Sequence, residues 1–451
     1  MLIMSEFKLN DGIDKNKIFL IKNSQVEDRF DAQYYWENMD FTNCIKLSKI
    51  AKVSGGKRLP KGFDYSKEIT QYRYLRIGNI KWDSTLEYDN FKYISEELYT
   101  ILKHYEINNN DLLLAIVGAT IGKCSLLNIP NDDKIILTEN CAKIKIIDSD
   151  VLSYYLLFLL QSNFVQKQIQ LNYVQTTLPK LGLDRVLSLY IPTPPSMEKQ
   201  QELLDIYQSA FLQKKEKEKQ AQKLLDSIDI YLLGELGITL PKIDNGLKKR
   251  IFEVNFSDIG EGRFDPFYYK YCKDVMQSNK YEEFDVIELS YIQKGQSITS
   301  KEVVEGNYPV IAGGQVSPYS HNQYNYKNNI ITISASGAYS GYAWYHNCPI
   351  FASDCNVLQS KDESNLMTKF LFEIFKLKQE ELYNLQQGSG QPHVYADDIK
   401  RIKIPLPPIE KQNEIAKYIQ NIRDYAKQLK FEAIQDLENT KIEVEKMILD
   451  Y

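Results

Sequence analysis

The segment Gly118-Ala119-Thr120-Ile121-Gly122-Lys123-Cys124 comes closest in this chain to a phosphate-binding loop. Such a loop has four residues between its glycines and a Ser or Thr after the Lys, where the hydroxyl meets Mg²⁺. Here three residues separate Gly118 from Gly122, and Cys124 follows Lys123. We therefore interpret the glycines as a tight turn after a buried strand, which leaves Lys123 free to reach a phosphate group.

The chain also contains two Pro-Pro pairs, which are one element of an amino-methyltransferase motif. In that motif an Asn or Asp precedes the prolines and an aromatic residue follows them. Here Thr193 and Leu406 precede the pairs, and Ser196 and Ile409 follow them. No side-chain carbonyl is therefore placed to bind an amino group, and no glycine-rich cofactor loop follows an early strand. We expect no methyl-transfer site in this chain.

Histidines and cysteines are the remaining candidates for chemistry. The cysteines form no CxxC pair and the histidines are widely separated, so metal-ligand spacing is absent. The members of a Ser/His/Asp or Cys/His site meet only in the fold, so spacing alone does not test for one. We expect reduced thiols, no metal and no catalytic residue. These residues are His104, His321, His346 and His393, and Cys44, Cys124, Cys141, Cys272, Cys348 and Cys355.

Two ordered motifs occur twice along the chain, which indicates an internal duplication. The first is Arg-Phe-Asp followed by Tyr-Tyr, and the second is a proline cluster followed by Glu-Lys-Gln. Each second motif opens a long polar segment with helical periodicity. The first motif lies at Arg29-Phe30-Asp31 with Tyr34-Tyr35 and at Arg263-Phe264-Asp265 with Tyr268-Tyr269; the second lies at Ile191–Pro195 with Glu198–Gln200 and at Ile404–Pro408 with Glu410–Gln412.

Each proline cluster is predicted to end a strand and to precede a helix. Proline fixes φ, lacks an amide donor and forces the preceding residue into an extended conformation. Apolar residues then recur at steps of three and four, which is typical of amphipathic helices that pair with each other. At 1.5 Å per residue, the roughly 37 residues from Met197 to Leu233 span about 55 Å as a helix. The stripes are Leu203, Tyr207, Ala210, Lys214, Ala221, Leu224, Leu225, Ile228 and Leu232, then Ile415, Ile419, Ile422, Ala426, Leu429, Ala433, Leu437, Val444 and Met447.

Short apolar runs between turn residues predict strands before each proline cluster. The predicted β segments are Asp111–Val117, Ile135–Thr138 and Ala142–Ile147 in the first half, and Asn329–Ala335 and Gly341–Tyr345 in the second. Each half is therefore expected to be an α+β domain with a twisted or barrel-like sheet.

Composition sets the class of protein. At 451 residues, with 43% hydrophobic and 25% charged residues, the chain is expected to form two or three globular domains. Its longest apolar runs, Leu112–Val117 and Tyr154–Leu160, are far shorter than the roughly 20 residues that cross a bilayer, and its N-terminus lacks a basic-then-apolar leader. We expect a cytoplasmic protein without membrane contact. A net charge of -5 means that any nucleic-acid binding uses local basic surface or a partner.

Five segments together resemble type I restriction-modification specificity subunits, and the resemblance covers nearly the whole chain. The two copies differ in one of these loops: the first copy has Gln175–Lys180 at the position where the second has the glycine-rich stretch Gly388–Gln391. The segments are Ser54–Gly62, Tyr74–Ile80 and Ala115–Lys123 in the first half, and Tyr308–Gly314 and Gly388–Tyr395, leading into the second proline cluster, in the second half.

The resemblance implies a non-catalytic subunit that binds double-stranded DNA. Each recognition domain would read one half of a bipartite target, and the helices would fix the unread spacer. Two modification subunits would dock on the helices and bring S-adenosylmethionine to methylate adenine. No cofactor is expected in this chain, and ATP and Mg²⁺ would belong to restriction subunits. Whether these nuclease-translocase subunits join the complex is left open.

The resemblance also implies a fold class: α+β, with two similar target-recognition domains separated by two long antiparallel coiled-coil helices, as an internal repeat with a pseudo-twofold axis. The expected divisions are a first recognition domain (1–194), a first spacer helix (195–235), a second recognition domain (236–407) and a second spacer helix (408–451). Two alternatives stay open, namely part of a fused restriction-methylation enzyme with its own active site, and a protein-assembly scaffold that does not bind DNA.

The resemblance also implies candidate DNA contacts among the basic and polar residues of both halves. Basic groups mostly bind phosphate and set the register, whereas Gln, Ser and Arg also read base edges. A merely solvated side chain is an equally open interpretation for each. The candidates are Lys57, Arg58, Lys61, Arg76, Lys123, Thr176, Thr177 and Lys180 in the first domain, and Lys294, Gln296, Ser297, Ser336, Tyr339, Ser389, Gln391 and His393 in the second.

Overall fold

The chain divides into two units, Met1–Lys215 with Ala433–Tyr451, and Glu216–Glu432, which we call the first and the second unit. The computed structural model describes residues 39–129, 133–173, 179–240, 251–255, 276–317, 319–388 and 390–451, and also 18, 20, 21, 26, 268 and 269. Both Arg-Phe-Asp motifs lie outside the described residues.

The first unit contains strands and short helices followed by the start of a long helix. Its strands are β1 (Cys44–Lys46), β2 (Ala51–Gly55), β3 (Tyr72–Leu75), β4 (Lys92–Tyr93), β5 (Glu106–Ile107), β6 (Leu112–Ala115), β7 (Cys124–Leu126), β8 (Lys134–Leu137), β9 (Cys141–Ile146) and β10 (Tyr190–Pro192). Its helices are α1 (Glu96–Leu102), α2 (Ser153–Gln161), α3 (Asn163–Asn172), α4 (Leu183–Leu187) and the first part of α5 (Met197–Leu236). Short 3-10 turns cover Leu47–Lys49, Ile77–Asn79, Tyr88–Asn90, Lys103–Tyr105 and Gly118–Thr120.

The second unit repeats most of this order, although its described residues include no counterpart of α1 and β5. Its strands are β11 (Glu283–Asp285), β12 (Ser290–Lys294), β13 (Tyr308–Ile311), β14 (Ser320–His321), β15 (Ile330–Ser334), β16 (Ala343–His346), β17 (Phe351–Ala352), β18 (Cys355–Ser360) and β19 (Lys403–Pro405). Its helices are the last part of α5, then α6 (Val286–Leu289), α7 (Thr368–Leu377), α8 (Gln379–Asn384), α9 (Ala396–Lys400) and the first part of α10 (Ile409–Leu449).

Both units build their main sheet in the same strand order. The first unit has β2-β9-β6-β7, and the second has β12-β18-β15-β16, with every neighbouring pair antiparallel. A second sheet contains one parallel pair in each unit, β3 with β8 and β13 with β17. The strand before each proline cluster closes its unit by pairing with the first strand, β10 with β1 and β19 with β11. The described strands thus confirm the duplication expected from the two motifs.

The hydrophobic pattern explains why these segments form the cores. Strand β6 lies between β9 and β7 in the sheet. It is an uninterrupted apolar run because both of its faces are buried, with Leu112 and Leu114 in one apolar cluster and Leu113 in another. Helix α7 instead buries Phe370, Leu371, Ile374 and Phe375, whose three- and four-residue spacing places them on one face of the helix. The five predicted strands correspond to β6, β8, β9, β15 and β16. The two predicted long helices are present, and each proline cluster ends a strand as expected.

The two long helices run antiparallel within each unit. In the second unit, Lys411 Nζ lies 2.7 Å from Glu235 Oε2, and Lys217 Nζ lies 3.6 Å from Glu432 Oε2. Between these ion pairs, Ala221 packs against Ala426 and Leu429. In the first unit, residues near the start of α5 share an apolar cluster with residues near the end of α10, namely Leu203 and Tyr207 with Val444 and Ile448. Among the described residues, no helix has a stretch that is both long and apolar enough to cross a bilayer.

Candidate nucleic-acid interface

A loop after β2 begins the candidate interface of the first unit. Backbone hydrogen bonds fix it, since Gly56 N donates to Cys141 O at 3.2 Å and Lys57 N donates to Leu137 O at 2.9 Å. A Cβ at Gly56 would lie 2.1 Å from Thr138 O, so only glycine allows this close approach. The loop that carries Lys57 and Arg58 therefore lies directly against the turn between β8 and β9.

A second pair of segments lies against the end of β6. Gly118 N donates to Pro179 O, and Leu181 N donates to Ile116 O, both at 2.9 Å. Gly118 has a φ of 73°, a conformation that favours glycine. These bonds hold Lys180 in a β-bridge with Val117. The glycine-containing turn follows a buried strand, as its spacing suggested, and it also holds the segment around Lys180.

The second unit repeats these hydrogen bonds at equivalent positions. Gly295 N donates to Cys355 O at 2.8 Å, and Gln296 N donates to Ala352 O at 3.0 Å. A Cβ at Gly295 would lie 2.2 Å from Ser353 O. Gly295 is therefore the equivalent of Gly56, and Ser297 is the equivalent of Arg58.

The second pair of segments is repeated as well. Gly337 N donates to Pro392 O at 2.9 Å, and Val394 N donates to Ala335 O at 3.0 Å. A β-bridge joins Ser336 to His393, and it corresponds to the β-bridge between Val117 and Lys180 in the first unit. The two units therefore present the same set of loops, although these loops carry different side chains.

In the first unit these loops carry basic side chains. Arg58 forms an ion pair with Glu139, with Nε and Nη2 at 2.6 and 2.5 Å from Oε1. Lys57 and Lys180 are exposed on the same set of loops. Lys61 is exposed further along the loop after β2. Cations on fixed loops can bind phosphate, and Arg can also read a base edge.

Two of the predicted contacts in the first unit lie in other surroundings. The guanidinium of Arg76 lies 5.9 Å from the ring of Tyr65, and its Nε is buried without a hydrogen-bond partner. Lys123 Nζ lies 5.3 Å from the ring centre of Trp82 and lines a cavity of about 370 Å³. Thr176 and Thr177 lie outside the described residues.

In the second unit five of the predicted contacts line one cavity of about 660 Å³. They are Lys294, Ser297, Ser336, Gln391 and His393. The hydroxyl of Ser336 donates to Asp354 Oδ2. Of the other three predicted contacts, Tyr339 is exposed. The backbone amide of Gln296 is hydrogen-bonded to β17. Ser389 lies outside the described residues. This cavity offers neutral and acidic polar groups with one lysine and one histidine.

Sequence reasoning missed Glu139 and Asp354, each of which binds a predicted contact. Both acids lie in the turn before the strand that starts with a buried cysteine, Cys141 in the first unit and Cys355 in the second. The recurrence of Thr-Glu-Asn-Cys and Ser-Asp-Cys was a signal that could have found them.

The buried thiols do not add reactive chemistry to these loops. Burial raises the pKa of Cys141 and of Cys355 to about 12, so both thiols are protonated near neutral pH. Within the part of the chain that the structure describes, no three His, Cys, Asp or Glu residues could hold a metal ion.

Sequence comparisons find relatives over parts of the chain. A Mycoplasma pneumoniae protein named as a type I specificity subunit is 28% identical over 144 residues, which is 30% of this chain and 46% of the relative. The type I restriction enzyme MjaVIII specificity subunit of Methanocaldococcus jannaschii is 28% identical over 151 residues, which is 31% of this chain and 35% of the relative. Each match spans less than half of the relative.

A structural comparison covers more of the chain. A chain solved in work on complex assembly and conformational transition of the type I R-M system superposes with a TM-score of 0.53 at 18% identity, over 90% of this chain and 96% of that chain. At this identity the likeness concerns the fold alone. The family model described as the type I restriction modification DNA specificity domain matches residues 40–225 and 278–439. The two matches follow the internal repeat, and this chain therefore belongs to the type I restriction modification DNA specificity family.

Proposed function

We propose that this chain is the sequence-specific DNA-recognition subunit of a type I restriction-modification complex. Each recognition domain reads one half of a bipartite double-stranded target. The repeated loop set is the observation that carries this proposal, because one backbone frame presents two different groups of side chains. A duplicated frame with different side chains suits the reading of two different half-sites.

The proposed division keeps the boundaries that the resemblance implies. Residues 1–194 and 236–407 are the recognition domains, and 195–235 and 408–451 are the spacer helices. The antiparallel ion pairs and apolar contacts along α5 and α10 support a rigid spacer. We further propose that two modification subunits dock on these helices.

The chemistry in this proposal belongs to the partners. S-adenosylmethionine binds the modification subunits, whereas ATP and Mg²⁺ belong to the restriction subunits. The recognition subunit itself contributes affinity and specificity in the cytoplasm. Lys57, Lys61, Arg76, Lys123 and Lys180 are proposed to contact phosphate or base edges in the first half-site, together with Arg58, Thr176 and Thr177. The proposed contacts in the second half-site are Lys294, Gln296, Ser297, Ser336, Tyr339, Ser389, Gln391 and His393.

A reconstitution experiment tests this function. The chain alone should transfer no methyl group from S-adenosylmethionine, and activity should appear when the host's type I modification subunits are added. Footprinting of the assembled methylase should then show two protected half-sites. Methyl transfer by the chain alone would favour a fused enzyme, and assembly without a sequence-specific footprint would favour a scaffold.

Two substitutions separate DNA reading from assembly. Arg58→Ala and Gln391→Ala should each weaken specific binding by the assembled methylase at constant salt. Both variants should co-purify with the modification subunits as the wild type does. Unchanged specific affinity would remove the substituted residue from the interface.

A further inference from the structure

We propose that Arg58 selects a guanine in the half-site read by the first unit, and that Glu139 positions Arg58 for this contact. This inference rests on the proposed function and assigns one base to one side chain. Three features support it. Glu139 binds one edge of the Arg58 guanidinium, the ion pair is exposed on an anchored loop, and the second unit has no arginine at the equivalent position.

Glu139 binds only one edge of the guanidinium. The edge formed by Nε and Nη2 points to Glu139 Oε1, at 2.6 and 2.5 Å. A guanidinium has five N–H donors in a rigid plane, so the end edge formed by Nη1 and Nη2 keeps its own pair of parallel donors. The ion pair therefore fixes the plane of Arg58 without using the edge best suited to bidentate binding.

The backbone around the pair is firmly held on both sides. Lys57 N donates to Leu137 O at 2.9 Å, and Tyr74 Oη donates to Lys57 O at 2.6 Å. On the other side, Thr138 N donates to Leu75 O at 3.1 Å. The residues that carry Arg58 and Glu139 are thus anchored to the sheet on either side of the ion pair.

The exposure of the pair argues against a purely structural role. The side chain of Arg58 is 77% exposed and that of Glu139 is 34% exposed. Ion pairs this accessible to water contribute little to stability, because solvent screens the attraction and the long side chains lose entropy. A pre-oriented, exposed guanidinium on an anchored loop is instead well placed to contact a ligand.

Guanine is the base that matches the remaining edge. In the major groove it presents two acceptors, O6 and N7, to a bidentate Arg. Adenine presents an amino donor beside N7, which would meet the Arg donors unfavourably. Lys does not hold two parallel donors in a fixed plane, since its ammonium is a point charge on a flexible stem.

The second unit lacks this pair. The position equivalent to Arg58 is Ser297, and the acid in the equivalent turn, Asp354, accepts the hydroxyl of Ser336. The guanine contact is therefore assigned to the first half-site alone. This difference gives the experiment an internal control, because the second half-site should not respond to changes at Arg58.

The test uses the assembled methylase. Methylome mapping first gives the bipartite motif, and binding is then measured at constant salt on duplexes with 7-deazaguanine at each guanine in turn, which removes only N7. At one guanine of the first half-site, 7-deazaguanine should weaken binding by the wild type. A full bidentate contact is worth about 5- to 140-fold in affinity, and the loss of N7 alone should not exceed this range. Arg58→Ala should bind the normal and the modified duplex equally.

Glu139 is tested by coupling to the same base. Glu139→Ala should reduce the 7-deazaguanine effect, Glu139→Asp should restore part of it, and melting temperatures should stay unchanged. Glu87→Gln is the matched control, since Glu87 forms an exposed ion pair with Lys81 at 2.8 Å in the same unit. Glu87→Gln should keep the full 7-deazaguanine effect.

Several results would overturn the assignment while leaving the proposed function intact. They are a first half-site without a G·C pair, equal 7-deazaguanine effects in the wild type and Arg58→Ala, or an effect of Arg58→Ala confined to the second half-site. Failure of the proposed function would look different, because the wild-type complex itself would then show no bipartite motif.

Discussion

The side-chain amides of Gln200 and Gln412 make matching hydrogen bonds at the starts of the two long helices. Gln200 Oε1 accepts from Leu152 N at 2.9 Å, and its Nε2 donates to Asp150 O and Pro195 O at 2.7 and 2.8 Å. Both glutamines are fully buried. Each one joins its proline cluster to the loop before a core helix, α2 in the first unit and α7 in the second.

Replacement of Gln412 should destabilise the second unit. Gln412 Oε1 accepts from Met367 N at 2.9 Å, and its Nε2 donates to Asn365 O and Pro407 O at 2.8 and 2.9 Å. Gln412→Ala would leave these backbone groups without partners, so we expect a loss of about 3 kcal/mol in the free energy of unfolding. Urea denaturation measures this loss. Gln428 is exposed on the same helix, so Gln428→Ala should change stability little. Equal losses in both variants would contradict the stabilising role of the Gln412 hydrogen bonds.

The ion pair between Glu373 and Arg423 is predicted to be replaceable only as a pair. Nη1 and Nη2 of Arg423 lie 2.5 and 2.6 Å from the two carboxylate oxygens of Glu373, which is fully buried. Arg423→Leu alone should lower the free energy of unfolding by about 3–5 kcal/mol, because the buried carboxylate then keeps only the weaker attraction of Lys369 and Lys376. The double variant Glu373→Leu/Arg423→Leu should be close to wild-type stability. A double variant as unstable as the single one would contradict this.

The loss in Arg423→Leu should also depend on pH. Burial raises the pKa of Glu373, whereas Arg423 lowers it, and the net direction is upward. A carboxyl whose pKa is raised in the folded state favours folding most below its unfolded pKa, and the stability falls as pH rises through the folded value. Without Arg423 the pKa of Glu373 rises further. Chemical denaturation should therefore show a smaller difference between variant and wild type near pH 5 than at pH 7, and a difference independent of pH would contradict this.

Glu445 should stabilise the start of α3. Its carboxylate accepts hydrogen bonds from Asn163 N at 3.0 Å and from Phe164 N at 2.6 Å, where a helix N-terminus favours negative charge. Glu445→Ala should cost about 1–3 kcal/mol and speed hydrogen exchange of these two amides. The matched control is Glu443→Ala, which removes an exposed carboxylate from the same helix. Unchanged exchange in Glu445→Ala would show that the carboxylate does not hold this helix end.

His346 should make the second unit sensitive to acid. Burial lowers the pKa of His346 to about 4, and its Nε2 lies 2.8 Å from Thr332 Oγ1. Because the folded state binds this proton less readily than the unfolded state, its stability is full above about pH 6.5 and falls as pH drops toward 4. The loss attributable to His346 is about 3 kcal/mol. Urea denaturation of the wild type and of His346→Gln at pH 6.5 and at pH 4 isolates this loss. If both proteins lost the same free energy of unfolding between the two pH values, the prediction would be contradicted.

Most of the fold could be predicted because its signals are local. Proline geometry located the ends of β10 and β19, and apolar periodicity located α5 and α10. The two glutamines lay within the repeated motif, although their hydrogen bonds depend on loops far away in sequence. Local patterns therefore gave the elements and their order.

The contacts that define the interface could not be predicted in the same way. Arg58 and Glu139 belong to different strand connections, and no periodicity links them. The sequence also does not reveal that one repeat uses an ion pair where the other has two aromatic side chains. Phe211 takes the position of Arg423 when the repeats are aligned on their glutamines. Phe158 takes the position of Glu373 when the repeats are aligned on Leu152 and Met367, whose amides these glutamines bind. Both phenylalanines line a largely apolar cavity of about 400 Å³.

The proposed spacing of the two readers can be changed in a defined way. Four residues inserted in α5 after Lys215, with four in α10 after Glu432, would lengthen each helix by about 6 Å. B-DNA rises roughly 34–36 Å over 10 to 10.5 base pairs, so this extension corresponds to about one or two base pairs. Methylome mapping of cells with the altered chain and its modification subunits is the most direct measurement. Both half-sites should be unchanged and the unread spacer one or two base pairs longer, whereas an unchanged spacer in an active, assembled complex would contradict the account.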